Sequence, residues 1–233
     1  MITAQFSEAL GFAADLHRQQ VRKGTSIPYI SHLLAVSALV LEHGGDEDQA
    51  IAALLHDALE DQGASYPGGV NGLREAIRGR FGARVLRLVE GCTDADQHPK
   101  PPWLDRKRAY IEHLAEVSDD VLLVSLADKL HNAKSILTDL HRHGESVWAR
   151  FNAGQEGTLV YYQSLSDIFE YRAFSASPRL LSMTEEFKQV VTALYEQAGK
   201  ANRHSLGNGS GQPGSAGLVE QALARLDEYA KRH

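Results

Sequence analysis

Residues 46–61 read DEDQAIAALLHDALED, and the fold turns on how they are taken. Asp46 is a good N-cap, because its carboxylate can accept one of the backbone N–H groups that the first helical turn leaves unpaired. The string AIAALL at residues 50–55 is apolar on every side, and a helix that is apolar all round is buried. Four ionisable groups then arrive together, His56, Asp57, Glu60 and Asp61. His56 and Glu60 are four residues apart, and so are Asp57 and Asp61. At 100° per residue the four occupy one sector of about 140°, with Leu55, Ala58 and Leu59 opposite. Taken as one helix ending near Gly63, the stretch has two readings. It is an amphipathic helix end with a solvated acidic face, or it faces a cation. Carboxylates at a helix C-terminus oppose the helix dipole, and a bound cation is one way to offset that.

Two other segments behave alike. Upstream, VRKGTSIPYI is turn-rich, with Gly24 and Pro28, and a helix starts near Pro28 or Tyr29 and stops at Gly44-Gly45. His32 lies on it among Ile30, Leu33 and Leu34, as a satisfied core histidine or as a ligand. Downstream, VLLVSLA runs directly into Asp128, with Asn132 one turn further on. By composition VLLVSLA also suits a buried strand, but its polar continuation at helical spacing favours a helix. A carboxylate buried bare costs several kcal/mol, so Asp128 needs a partner: Lys129, Lys134, a distant arginine, or a metal. Taken jointly, His32, His56, Asp57 and Asp128 make a shell of two nitrogens and two oxygens. Such a shell suits a divalent ion such as Mn2+, Fe2+ or Zn2+. Four protein ligands in an octahedron leave two positions for water or phosphate oxygens, as hydrolysis requires.

The rest of the chain is also helical in pattern. Helices are expected over residues 3–20, from an Asn71 cap through LREAIRGRF, over 83–92, and over LDRKRAYIEHLAEV after the proline-rich loop TDADQHPKPPW. Asp119 or Asp120 is the expected cap of the helix carrying Asp128. Further helices are expected over 152–173 and, after a break at Ser177-Pro178, over 179–200. The string GNGSGQPGSAG reads as a flexible linker. The closing LVEQALARLDEYAKRH reads as an amphipathic helix, loosely attached or docking on a partner. The division is therefore a main domain over 1–205, a linker over 206–217 and a C-terminal helix over 218–233. No segment alternates as a strand would, and the fold class is all-α.

Composition narrows the function classes. The apolar fraction is 43%, enough for a real core, and the net charge is −6 from 24 basic and 30 acidic residues. That argues against nucleic acid as a partner. A single cysteine, Cys92, rules out an intrachain disulfide and a four-thiolate zinc site. No signal peptide or membrane-spanning run is visible, so a cytoplasmic location without a membrane partner is expected.

Three strings, RKGTSIPYISHLLAV, AALLHDALED and LLVSLADKLHNAKSIL, resemble in order and spacing the hydrolase domain of RelA/SpoT-type proteins. VWARFNAGQEGTLVYYQSL adds to the likeness, which covers roughly residues 5–172, and the chain length resembles that of the stand-alone small alarmone hydrolases. No synthetase domain fits in what is left. The resemblance implies an HD-domain helical bundle that hydrolyses (p)ppGpp to pyrophosphate and GDP or GTP. It implies His32, His56, Asp57 and Asp128 as ligands of a metal, usually Mn2+. Glu60 and Asp61 match the family's catalytic acidic pair, Arg22 and Lys23 match basic residues beside the nucleotide, and Asn132 matches a contact to the nucleoside. Many long members have proline where this chain has Leu33, which leaves the ligand His32 intact. Two other functions fit the same scaffold: hydrolysis of another phosphorylated nucleotide such as NADPH, or non-catalytic nucleotide binding. Arg150, Tyr161 and Tyr162 have two readings, a role against the substrate or, more simply, a surface ion pair and two packed aromatics.

Overall fold

The protein is described by a computed structural model that covers residues 1–93, 101–173, 178–199 and 215–233. The expected linker at 206–217 and the loop after Thr93 fall largely outside these residues, as does Ser177. Among the described residues there is no strand. The regular structure is helical, with one isolated bridge between Val21 and Pro28. No helix is long and apolar enough to cross a membrane.

The chain forms two compact units. The first comprises residues 1–101 and 117–131, and the second residues 102–116 and 132–233. The first unit holds α1 (Ala4–Leu16), α2 (Ile30–Glu42), α3 (Glu47–Leu55), α4 (Ala58–Gln62), α5 (Gly69–Cys92) and the first half of α7 (Asp119–His143). Helix α3 is its axis: every residue from Gln49 to Leu55 is buried, as the all-apolar string requires. Its start is fixed by a full capping box. Asp46 accepts from the Gln49 backbone, and the Gln49 side chain accepts from the Asp46 backbone. Gln49 also donates to Asp120 at 3.0 Å, and the Arg84 guanidinium pairs with Asp46, Asp48 and Asp120, lashing α3, α5 and α7 together.

Three sequence expectations are corrected here. Residues 46–61 do not form one helix: α3 stops at Leu55, His56 and Asp57 form the joint, and α4 restarts at Ala58. Asp57 sits at φ −96°, ψ 0°, the bridge region where many active-site residues are found. The dipole argument therefore loses its premise, because Glu60 and Asp61 lie in the first turn of α4, where negative charge is favoured. Asn71 is not a cap but lies inside α5, whose N-cap is Gly68. The expected boundary between two helices near residue 82 is nevertheless visible inside α5, where Gly82 adopts φ 90°, ψ 167°, a conformation open essentially to glycine alone. Asp119 and Asp120 are the first residues of α7, not its cap. Ser118 caps it, its hydroxyl accepting from the Val121 N–H at 3.4 Å.

The second unit packs α6 (Trp103–Glu116), the remainder of α7, α8 (Gly154–Ala173), α9 (Pro178–Gln197) and α10 (Ser215–Arg232). Its core includes Ile111, Leu114, Leu165, Phe169, Phe187 and Leu226. Helix α10 is not loosely attached. Ala222 and Leu226 are fully buried, Arg225 pairs with the buried Asp167 of α8, and Arg108 of α6 pairs with Asp227. Tyr229 lies so close to Gly157 that a side chain there would collide with its ring.

Candidate metal centre

The α3–α4 joint, α2 and α7 each bring a polar group to one point of the first unit. His32 and His56 are both buried, and so is Asp128; Asp57 is half-buried. His56 Nε2 lies 3.0 Å from Asp57 Oδ2 and 3.5 Å from Asp128 Oδ1. His32 Nε2 lies 3.1 Å from Asp128 Oδ1 and 3.8 Å from Asp57 Oδ2. Neither Nε2 has a properly aligned hydrogen-bond partner, although both are buried. Ligand atoms of His32, His56 and Asp57 fall within 4.8 Å of one another. Two nitrogens with no hydrogen bond, facing two carboxylate oxygens, fit a divalent cation held between them. All four residues thus meet, and as a donor set they can hold such an ion.

The electrostatics point the same way. Burial alone pushes the His56 ring towards neutrality, but the Asp57 and Asp128 carboxylates prevail and hold it well above the usual imidazole range. Burial likewise pushes Asp57 and Asp128 up. His56 reverses this for Asp57, while Lys129 and the two histidines reverse it for Asp128, and both carboxylates stay ionised. His32 is pushed down by burial despite Asp128. The two carboxylates thus demand positive charge between them. Lys129 supplies part of it, since its Nζ is 2.7 Å from Asp128 Oδ2. The sequence posed a lysine partner and a metal as alternatives for Asp128; here the lysine takes one oxygen and the histidines face the other.

Around the four lie residues the sequence reading did not single out. The Tyr29 hydroxyl donates to Asp57 Oδ2, and burial, then Asp57 and Asp61, raises that phenol well above its usual range. His131 Nδ1 is 2.7 Å from His32 Nδ1, so one ring must donate to the other, which fixes how His32 presents Nε2. The sequence carried a faint signal for both: Tyr29 precedes His32 by one helical turn and His131 follows Asp128 by nearly one. His17 was invisible as a site residue. It is 2% exposed and stacks on Tyr29 at 5.3 Å.

The remaining expected residues are placed as follows. Glu60 and Asp61 stand one turn after Asp57 on α4, Glu60 half-buried and Asp61 exposed. Arg22 and Lys23 lie on the turn between α1 and α2, with the Arg22 guanidinium 5.8 Å from the centre of the Tyr29 ring. Asn132 follows Asp128 by one turn of α7. In the second unit Arg150 pairs with Asp139 at 2.6 Å, and Tyr161 and Tyr162 are buried.

Residues 9–159 match the HD domain family. The guanosine-3′,5′-bis(diphosphate) 3′-pyrophosphohydrolase MESH1 of Homo sapiens is 40% identical over 199 residues, covering 84% of this chain and 96% of the relative. MESH1 of Xenopus tropicalis is 37% identical over 164 residues, 69% of this chain and 80% of the relative. A solved structure described as a metazoan ortholog of SpoT that hydrolyses ppGpp aligns over 100% of this chain and 97% of its own, with a TM-score of 0.52 at 24% identity, which speaks for the fold. With the His-Asp joint of α3 and α4 inside that matched region, the chain belongs to the HD-domain family, in the RelA/SpoT-type group alongside the small MESH1 proteins.

Proposed function

We propose that the protein is a metal-dependent (p)ppGpp 3′-pyrophosphohydrolase, with His32, His56, Asp57 and Asp128 holding Mn2+ or a similar divalent ion. The observation that carries it is the pair of buried Nε2 atoms that face two carboxylates without a hydrogen bond. The names of the relatives support the substrate. When bound, the metal supplies charge that polarises a phosphoryl oxygen and lowers the pKa of a coordinated water.

The chain's own residues do the rest. Arg22 and Lys23 set positive charge against the phosphates, and the Arg22 plane can also stack on the base. Asn132 contacts the nucleoside. The reaction breaks the bond between the ribose 3′-oxygen and its phosphorus, while a water oxygen bonds to that phosphorus. One proton leaves the water and one reaches the 3′-oxygen, so pyrophosphate and GDP or GTP result. Glu60 and Asp61 take and return those protons, a contribution typically of about 10²–10⁴-fold.

The test is incubation of the purified protein with ppGpp or NADPH in the presence of Mn2+, with and without chelator, followed by chromatography. Release of pyrophosphate and GDP from ppGpp, abolished by chelator, is expected. Phosphate release from NADPH with ppGpp untouched would transfer the site to another substrate, and tight ppGpp binding without turnover would make the protein a nucleotide-responsive regulator.

A further inference from the structure

Asp61 is approached by side chains from the end of α1, a part of the molecule that the metal and substrate residues leave unused. His17 is the C-cap of α1, and Gln20 follows it by three residues. Gln20 is fixed by its backbone, its N–H donating to the His17 carbonyl at 3.0 Å and its carbonyl accepting from Tyr29 at 2.9 Å. Its side-chain Nε2 donates to Asp61 Oδ2 at 2.7 Å. Its Oε1 faces two nitrogens, Gln62 Nε2 at 2.6 Å and His17 Nδ1 at 2.6 Å.

This arrangement settles which way the amide points. An amide oxygen only accepts and an amide nitrogen only donates. Turning the group over would set its oxygen against the Asp61 carboxylate and its NH2 against the NH2 of Gln62. The three contacts are satisfied together in one orientation, with His17 carrying its proton on Nδ1. The remaining ring nitrogen of His17, Nε2, is buried and takes no hydrogen bond. The His17 ring is held from its other face by Tyr29, whose hydroxyl donates to Asp57. Asp61 itself is exposed, on a helix of only five residues.

We propose that Gln20, oriented by His17 and Gln62, is the positioning residue for Asp61 and holds that carboxylate where it exchanges a proton during hydrolysis. The inference rests on the role assigned to Asp61 under the proposed function. It is specific to the turnover step, because the Gln20 side chain, which the substitution changes, contacts Asp61, Gln62 and His17, whereas its link to Tyr29 is made by the backbone.

The test uses the full chain with Mn2+ and ppGpp. In Gln20→Leu, kcat is expected to fall about 10–100-fold, the range typical of residues that orient a functional group. KM should change less than about two-fold, and Mn2+ affinity, read by calorimetry without substrate, should not change. In an Asp61→Asn background the same substitution should cause no further loss, because the group it orients is gone. Gln62→Leu, which removes one of the two donors to Gln20 and does not touch the donor to Asp61, should lower kcat by a smaller factor. It serves as the readout if Gln20→Leu fails to fold. Full turnover in Gln20→Leu, or an equal loss with and without Asp61, would overturn the proposal while leaving the reading of the site intact. Full turnover in Asp61→Asn would overturn both.

Discussion

At the scale of single residues, the proposed site sets two buried nitrogens that take no hydrogen bond against two carboxylates. His32 and His56 are buried beside two carboxylates that stay ionised, with Lys129 on the far oxygen of Asp128 and the Tyr29 hydroxyl on Asp57. Asp57→Ala or Asp128→Ala should therefore remove metal and activity together, as read by metal content after gel filtration and by pyrophosphate release. Glu60→Ala should keep the metal and lose about 10²–10⁴-fold in turnover, the range for a group that moves protons. Full rate in Glu60→Ala would sink that assignment. Tyr29→Phe removes only the hydroxyl that orients Asp57, and metal affinity should drop about 10–100-fold in a calorimetric titration. An unchanged affinity would mean that the joint alone fixes Asp57. The metal-ligand candidates were legible in sequence because each ends or interrupts an apolar run. Tyr29, His131 and His17 were not, because an aromatic or imidazole on an apolar face reads as ordinary core until a neighbour is seen.

Among the elements, the joint between α3 and α4 matters most. The sequence pattern continues at helical spacing through residues 46–61, so nothing in its periodicity announces a break. His56 Nδ1 donates to the Ala53 carbonyl at 2.8 Å, and Asp57 takes the Tyr29 hydroxyl and faces His56 Nε2, at the two-residue joint where α3 stops and before α4 restarts at Ala58. Interactions with α2 and α7 made that break, and no local rule predicts them. Helix α10 teaches the same lesson from outside the site. Its amphipathic pattern said only that one face is apolar, whereas the fold shows that α8 and α6 cover that face, with Ser164 donating to the Ala222 carbonyl at 3.0 Å. Arg225→Met should destabilise the protein by about 3–5 kcal/mol in a denaturant titration, because Asp167 is left charged and buried. The low end is expected, since Gln163 still donates to it at 3.3 Å. Adding Asp167→Leu should recover much of the loss, and failure to recover it would show that packing, not charge, governs the contact.

For the molecule as a whole, metal binding and stability are linked. An ion that binds the folded chain and not the unfolded one stabilises by about 2.7 kcal/mol at a hundred times its dissociation constant. Chelation should lower the thermal midpoint by several degrees, and Mn2+ should restore it. The shift should vanish in Asp128→Ala; its persistence there would place the ion elsewhere.

The all-α class, the cap at Asp46, the buried axis at residues 50–55 and the four polar residues that end or interrupt apolar runs are properties of the sequence, because periodicity and local hydrogen bonding fix them. Only tertiary structure decided the break at His56-Asp57, the two oxygens of Asp128 facing different partners, the anchoring of α10 and the Gln20 contact to Asp61. Each of these depends on at least one partner distant in the chain, and the energy that selects it exists only once the partners have been brought together and water has been removed.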